Sequence, residues 1–323
     1  NTAYLHADYV ELLEGGDLKK GFVSIALLNV RKRPSAKSEI RGRLVSGSEV
    51  ELISESKDWY EIKFNNDYAF VAKKYISQSE AEEDGQFFYQ KSAFKRIKLA
   101  PQKIFSVGES KEQKRVAKTW NAYGNLLTQV AEKLDIDVGC AIAVLCVESS
   151  GNAVDRNGRM VIRFENHQFW KYWGKHNEAE FNKHFVFNDD KKWRGHLFRV
   201  DEGAEWEKFH GIPEKEWEAL EFARSLANSA ALKSISMGLP QIMGFNYKQI
   251  GYTSVQQMFE YLEKDSRYQL LAMFDFLDNR MISALKSYDF KRFAGYYNGS
   301  GQASAYGGWI DDHFEAYRRY VEL

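Results

Sequence analysis

Little in this sequence is extreme, and each scarcity removes a class of protein. Lys plus Arg number 45 and Asp plus Glu number 45, so the formal net charge is zero. A chain without excess charge does not hold nucleic acid or an anionic membrane by bulk electrostatics, and neither is expected as a partner. No run reaches the roughly 18 to 20 apolar residues that a bilayer span needs; the longest, Ala141 to Val147, suits a buried helix. There are only two cysteines, Cys140 and Cys146, in what reads as one helix. Their Cα atoms then lie about 9 Å apart, beyond the roughly 7 Å that a disulfide tolerates. Both read as small buried hydrophobes, and they leave the redox compartment open. The first residue is Asn1 and not Met, which reads as a processed or trimmed form that has lost any export signal, so localisation must follow from function.

What is present divides the chain. Phe22 to Leu28, Leu44 to Val45, Glu49 to Ser54, Trp59 to Phe64 and Tyr68 to Val71 alternate or run apolar between turn residues such as Arg33-Pro34-Ser35, Ser46-Gly47-Ser48 and Asn65-Asn66-Asp67. This pattern predicts a small all-β barrel over 1–78. The order Leu28-Asn29-Val30-Arg31, Pro34, Gly42, Gly47, Trp59-Tyr60-Glu61-Ile62, Phe70-Val71 and Tyr75-Ile76 resembles a bacterial SH3 domain, with Ala69 where that family commonly has Gly. Residues 79–104 read as a connection that begins acidic and solvated at Glu80 to Asp84. It then turns aromatic at Phe87, Phe88, Tyr89 and Phe94, which should dock onto a domain because exposed rings are unfavourable. From 105 to 323 the spacing is helical, as in Leu126, Leu127, Val130, Ala131 and Leu134, or Leu270, Leu271, Phe274, Leu277, Met281 and Leu285. The predicted fold is therefore multidomain: an SH3-like barrel followed by a mainly α domain.

One helix of that second domain ends on a charge. In Val138 to Val147 every side chain is apolar or absent, so the helix must be surrounded by protein, with Asp137 as its N-cap and Glu148 at its end. Burial and the carbonyl end of the helix both raise a carboxyl pKa. A glutamic acid that keeps its proton near neutral pH is what a general acid needs to protonate a glycosidic oxygen. The plain alternative is a helix-terminal Glu facing water beside Ser149, Ser150, Gly151 and Asn152.

Later segments favour the first reading. Val147-Glu148-Ser149-Ser150-Gly151, Arg163-Phe164-Glu165-Asn166-His167-Gln168-Phe169, Gly238-Leu239-Pro240-Gln241-Ile242-Met243-Gly244 and Tyr297-Asn298-Gly299 occur in that order. They look like the motifs of lysozyme-like peptidoglycan-cleaving enzymes, and resemble more closely the bacterial and phage N-acetylmuramidase family, often found as endolysin catalytic domains. Asn166, where a basic residue is expected, and Pro240, where an aromatic or Met is usual, depart from the pattern. The resemblance implies a lysozyme-like fold and hydrolysis of the β-1,4 bond after N-acetylmuramic acid, with Glu148 as the acid. Ser150, His167, Gln241, Tyr297 and Asn298 become the candidate substrate-binding residues. Glu165 is the first candidate for a second catalytic group, against an ion pair that fixes its loop; Asp155 and Asp189 are outsiders, and the substrate's own acetamide is a third route. A lytic transglycosylase giving 1,6-anhydro products and a catalytically silent wall-binding protein are the alternatives.

Other signals are weaker. His167, His176, His184 and His196 lack the spacing of a zinc motif, so no metal or cofactor is expected. Among the tryptophans, including Trp170, Trp173, Trp193, Trp206, Trp217 and Trp309, one or two could stack on sugars while most fill the core. Ser149 and Ser150 carry no signature of an acyl-transfer nucleophile. The barrel balances 12 basic against 12 acidic residues over 1–80, so recognition there must use specific pockets. The expected partners are peptidoglycan glycan strands and, through the barrel, wall peptide. The expected setting is a monomer that is secreted, periplasmic or cell-wall associated, or phage-encoded and released at lysis.

Overall fold

The computed structural model describes residues 11–12, 19–23, 25, 27–45, 48–65, 67–77 and 85–322. The acidic stretch Glu80 to Asp84 and the Ser46-Gly47 turn lie outside them. The chain separates into two compact units, one holding residues 1–85 and 90–93, the other 86–89 and 94–323.

The first unit is a set of short antiparallel strands: β1 (Glu11–Leu12), β2 (Lys20–Val23), β3 (Leu27–Arg31), β4 (Ile40–Val45), β5 (Glu49–Glu55), β6 (Trp59–Phe64), β7 (Asp67–Ala72) and β8 (Ile76–Ser77). Their order is β4-β3-β7-β6-β5-β2-β8, with β1 on β5. Alternation sends Val50 and Leu52 of β5, Tyr60 and Ile62 of β6, and Ala69 and Val71 of β7 into one core with Leu28 and Val30. The apolar run Phe22 to Leu28 contributes to two strands, not one: β2 pairs with β5 and β8, whereas β3 pairs with β4 and β7.

In the second unit the aromatic segment packs into a helical core. Tyr89 stacks on Tyr252 with ring centroids 4.3 Å apart and donates its hydroxyl to the Gly251 carbonyl at 2.7 Å. Phe105 lies between Trp120 and Tyr320, at 4.8 and 4.5 Å. A short helix α1 (Ser92–Lys95) has residues in both units, and the helices of the second unit are α2 (Lys111–Leu134), α3 (Val138–Ser149), α4 (Asn166–Tyr172), α5 (Glu178–His184), α6 (Pro213–Lys233), α7 (Val255–Lys264), α8 (Ser266–Phe276), α9 (Asn279–Lys286), α10 (Phe290–Tyr297) and α11 (Ala303–Val321). None is long and apolar enough to cross a membrane among the described residues.

The central element is α3. Asp137 caps it by accepting the Gly139 N–H at 2.7 Å, and everything from Gly139 to Cys146 is buried. Helices α2 and α11 pack against it, and Tyr317 of α11 comes so close to Gly139 that a Cβ there would sit 2.4 Å from the ring. Ser150 ends the helix in the left-handed region, φ 56°, and Gly151 continues it at φ 71°. Both cysteines of α3 are free thiols, and burial pushes the Cys146 thiol up to about 12.

Two small sheets, which helical periodicity does not announce, build the surroundings of α3's end. One has the order β14-β13-β9, from β9 (Ile162–Phe164), β13 (Ile235–Met237) and β14 (Ile242–Met243). The other has the order β10-β11-β12, from β10 (Phe185–Val186), β11 (Leu197–Phe198) and β12 (Glu207–Lys208). The β13–β14 turn needs positive φ twice, at Gly238 (67°) and Gln241 (50°). Beneath it the buried Gln269 accepts the Leu239 N–H and donates to the Leu262 carbonyl, both at 2.9 Å. A Cβ at Gly238 would lie 2.6 Å from the Gln269 amide carbon. Gly238→Ala should therefore cost about 1–3 kcal/mol, read as a lower denaturation midpoint; an unchanged midpoint would mean that the turn is not held as described.

Candidate functional site

The segments singled out in the sequence converge on one groove of about 800 Å³. Its lining includes Glu148, Arg163, Glu165, Gln241, Tyr297 and Asn298. Trp193, Lys191 and Arg194, from the loop between β10 and β11, line it too, as does Tyr306 of α11.

Glu148 enters the groove from the last turn of α3, where the helix emerges from the core. Asn298, just past the end of α10, donates its side-chain N–H to Glu148 Oε1 at 2.8 Å. Burial pushes the Glu148 carboxyl up to about 7, and the Asn298 hydrogen bond offsets only part of that. A carboxyl in this condition holds its proton near neutral pH and can give it away.

The motif residues also hold one another. Tyr297 donates its hydroxyl to the Pro240 carbonyl at 2.8 Å and stacks on Phe293, tying α10 to the β13–β14 turn. Gln241 is engaged at both ends of its amide: Nε2 donates to the Gly238 carbonyl at 2.7 Å, and Oε1 accepts from Ser236 Oγ at 2.7 Å. Within this structure the polar groups of Tyr297 and Gln241 shape the groove. Asn298 is the amide that reaches the acid.

Glu165 lies at the N-terminal end of α4. Arg163 Nε is 2.9 Å from its Oε1, while His167 Nδ1 and His196 Nδ1 stand 3.4 and 3.5 Å from its Oε2. Burial acts to raise the Glu165 pKa, but the His167 imidazole and the charge of Arg163 outweigh it and hold the group below the usual carboxylate value. Glu165 is thus an anion where Glu148 is an acid. Its strand is anchored from behind by Glu216, whose buried carboxyl accepts the Phe164 N–H at 2.8 Å and the Gly211 N–H at 3.2 Å, and which burial pushes up to about 8. Asn166, fully buried, donates to the Val186 and Leu197 carbonyls at 2.6 and 2.8 Å and so fixes the β10–β11 pair that carries Trp193. A basic side chain there would bury an unpaired charge, which accounts for the departure at this position.

Four candidates do not line the groove. Ser150 is spent on the left-handed end of α3, and His167 stands beside Glu165. Asp155 accepts the N–H groups of Asn157 and Arg159 within its own turn, and Asp189 is likewise outside the lining. Sequence reasoning missed Arg163, although it lay inside a quoted motif, and it missed Tyr306, for which no local signal exists. It also separated His167 from His196. The fold brings the two imidazoles and Glu165 together, with their nearest ligand atoms all within 4.8 Å.

The barrel has a groove of its own, about 720 Å³, where Leu27, Trp59 and Tyr75 supply apolar surface and Lys57, Asp58 and Lys74 supply charge.

A family model described as N-acetylmuramidase matches residues 137–318, and one for the bacterial SH3 domain matches residues 26–77. No curated protein matches the chain. Among solved structures, the endolysin of Burkholderia AP3 phage is similar at 26% identity and a TM-score of 0.47, over 60% of this chain and 70% of that one. Because the first match spans more than half of the chain and contains every element that builds the groove around Glu148, the chain belongs to the N-acetylmuramidase family and is a peptidoglycan-cleaving glycoside hydrolase with a bacterial SH3 domain ahead of its helical domain.

Proposed function

We propose that Glu148 is the general acid for cleavage of the β-1,4 bond between N-acetylmuramic acid and N-acetylglucosamine. The observation that carries this is a desolvated carboxyl, pushed up to about 7, opening onto a groove of about 800 Å³. Its proton goes to the glycosidic oxygen as the bond to the anomeric carbon breaks, leaving positive charge on the sugar. Glu165, held ionised by Arg163 and its imidazole neighbours, supplies the negative charge that stabilises this cation or positions the incoming water. Trp193, 57% exposed, offers a face for a sugar ring, and Lys191 and Arg194 offer positive charge to carboxylates of the muramyl unit.

The acid acts only while protonated. Activity limited by it is full below its pKa and is lost as pH climbs through about 7, while Glu165, shifted down, remains ionised below the ordinary carboxylate range. Glu148→Gln keeps the Asn298 hydrogen bond and loses the proton. It should lower kcat on purified peptidoglycan by roughly 10²–10⁴-fold with unchanged folding, and abolish the alkaline limb near pH 7 in whatever turnover is left. Retained turnover with the wild-type pH profile would refute the role. Mass analysis of the wild-type fragments reads the bond as well: reducing N-acetylmuramic ends support hydrolysis, whereas ends lighter by one water would assign a transglycosylase using the same acid.

For the barrel we propose wall targeting through the Trp59–Tyr75 groove, with wall peptide as the ligand. A weak second contact of this kind raises the local concentration of a monomeric enzyme, acting outside the cytoplasm, at its polymer. Trp59→Ala should reduce co-sedimentation of the full chain with peptidoglycan and leave cleavage of soluble glycan fragments unchanged. Undiminished sedimentation would exclude the groove.

A further inference from the structure

Glu165, which the proposed mechanism uses as an anion, also meets two imidazoles that the mechanism does not use. Three ligand atoms converge: Glu165 Oε2, His167 Nδ1 and His196 Nδ1. From the carboxylate oxygen the two nitrogens are 3.4 and 3.5 Å away. For zinc bonds of about 2.0–2.1 Å, the edge of a coordination tetrahedron is roughly 3.3–3.4 Å. The two edges from the carboxylate thus match neighbouring ligands on one ion, and the third, between the two nitrogens, lies within 4.8 Å.

Two of the three atoms also make no hydrogen bond, while the third, His196 Nδ1, has His210 Nε2 at 3.2 Å. Glu165 Oε2 and His167 Nδ1 are buried and make no hydrogen bond, although they face each other. The tautomers can be traced from fixed acceptors. His196 Nε2 lies 2.7 Å from the Lys192 carbonyl, which can only accept, so Nε2 carries the proton and the Nδ1 lone pair faces Glu165. His210 Nε2 is 2.8 Å from the Phe164 carbonyl and 3.2 Å from His196 Nδ1, so its proton goes chiefly to the carbonyl, while Arg163 donates to His210 Nδ1 at 3.0 Å. His167 Nε2 is 3.0 Å from the Gln168 amide nitrogen. With that amide donating to Nε2, the His167 proton sits on Nδ1 facing Glu165, so an ion bound at Nδ1 displaces this proton to Nε2 as the amide reverses and offers its oxygen. Arg163 fixes the other oxygen of Glu165, and the Lys192 carbonyl fixes His196, as outer partners do around a metal ligand.

We infer that Glu165, His167 and His196 form a binding site for a divalent transition-metal ion, zinc foremost, with the remaining coordination position left to water. Two imidazoles and one carboxylate select zinc over calcium or magnesium, which take oxygen donors. The site stands apart from the role of Glu148.

The test is calorimetric titration of the metal-stripped full chain with ZnCl2, in the absence of peptidoglycan. One saturable site per chain is expected, weakened at least tenfold in His196→Asn and in His167→Asn and unchanged in the exposed control His176→Asn. Melting curves report whether each variant folds, and His167→Asn carries the test alone if His196→Asn does not. Cobalt(II) should give the visible absorption of a low-coordinate site in the wild type and lose it in the folded variant. No saturable zinc binding, wild-type affinity in both variants, or calcium binding equal to zinc would overturn the inference. Because substrate is absent, none of these outcomes bears on Glu148.

Discussion

Everything in the catalytic domain depends on keeping one carboxyl group out of water while leaving it in reach of a polymer. Helix α3 accomplishes the first part. Its side chains from Gly139 to Cys146 are buried by α2, α11 and the surrounding core, so Glu148 follows directly on a fully buried stretch and is half-buried where it meets the groove. Desolvation of a charge is among the largest local effects in a protein, and the protonated form avoids it. The neutral Asn298 amide then orients the carboxyl. A cation in the same place would have favoured the anion and removed the acid.

The surrounding turns make sense as supports for that arrangement. Tyr297 precedes Asn298 and is pinned to the Pro240 carbonyl, so the amide that touches Glu148 is fixed through the β13–β14 turn. That turn rests on Gly238, Gln241 and the buried Gln269. The two acidic groups in the groove are pushed in opposite directions by their neighbours: Glu148 has burial and an amide, and Glu165 has burial opposed by Arg163 and His167. Such divergence between two carboxyls is what assigns separate acid and anion roles.

Much of this was legible in the sequence because it depends on local pattern. The unbroken apolar character of Val138 to Val147 announced a fully buried helix, Asp137 its start, and the alternation at Glu49–Ser54 and Trp59–Phe64 a barrel. The helical spacing of Leu270 to Leu285 persists across a break at Leu277–Asp278, since Asp278 caps the next helix by accepting two N–H groups. What stayed hidden is what long-range packing creates. Strands of two or three residues, such as β10 to β12, carry too little periodicity to be read. The approach of His196 to His167, 29 positions apart, is set by Asn166 holding the β10–β11 pair, which no local spacing encodes. Tyr297 and Gln241 were read as groups for the sugar because amides and phenols recognise hydroxyls, yet in the folded chain their polar atoms bind the turn beside it.

The most direct measurement is the titration of the Glu148 side-chain carboxyl by carbon NMR in the free, wild-type chain, assigned through the Glu148→Gln spectrum. A midpoint near 7 is predicted, with the Glu165 signal already ionised below the ordinary carboxylate range. A Glu148 midpoint near 4.5, the value of a solvated glutamate, would contradict the account.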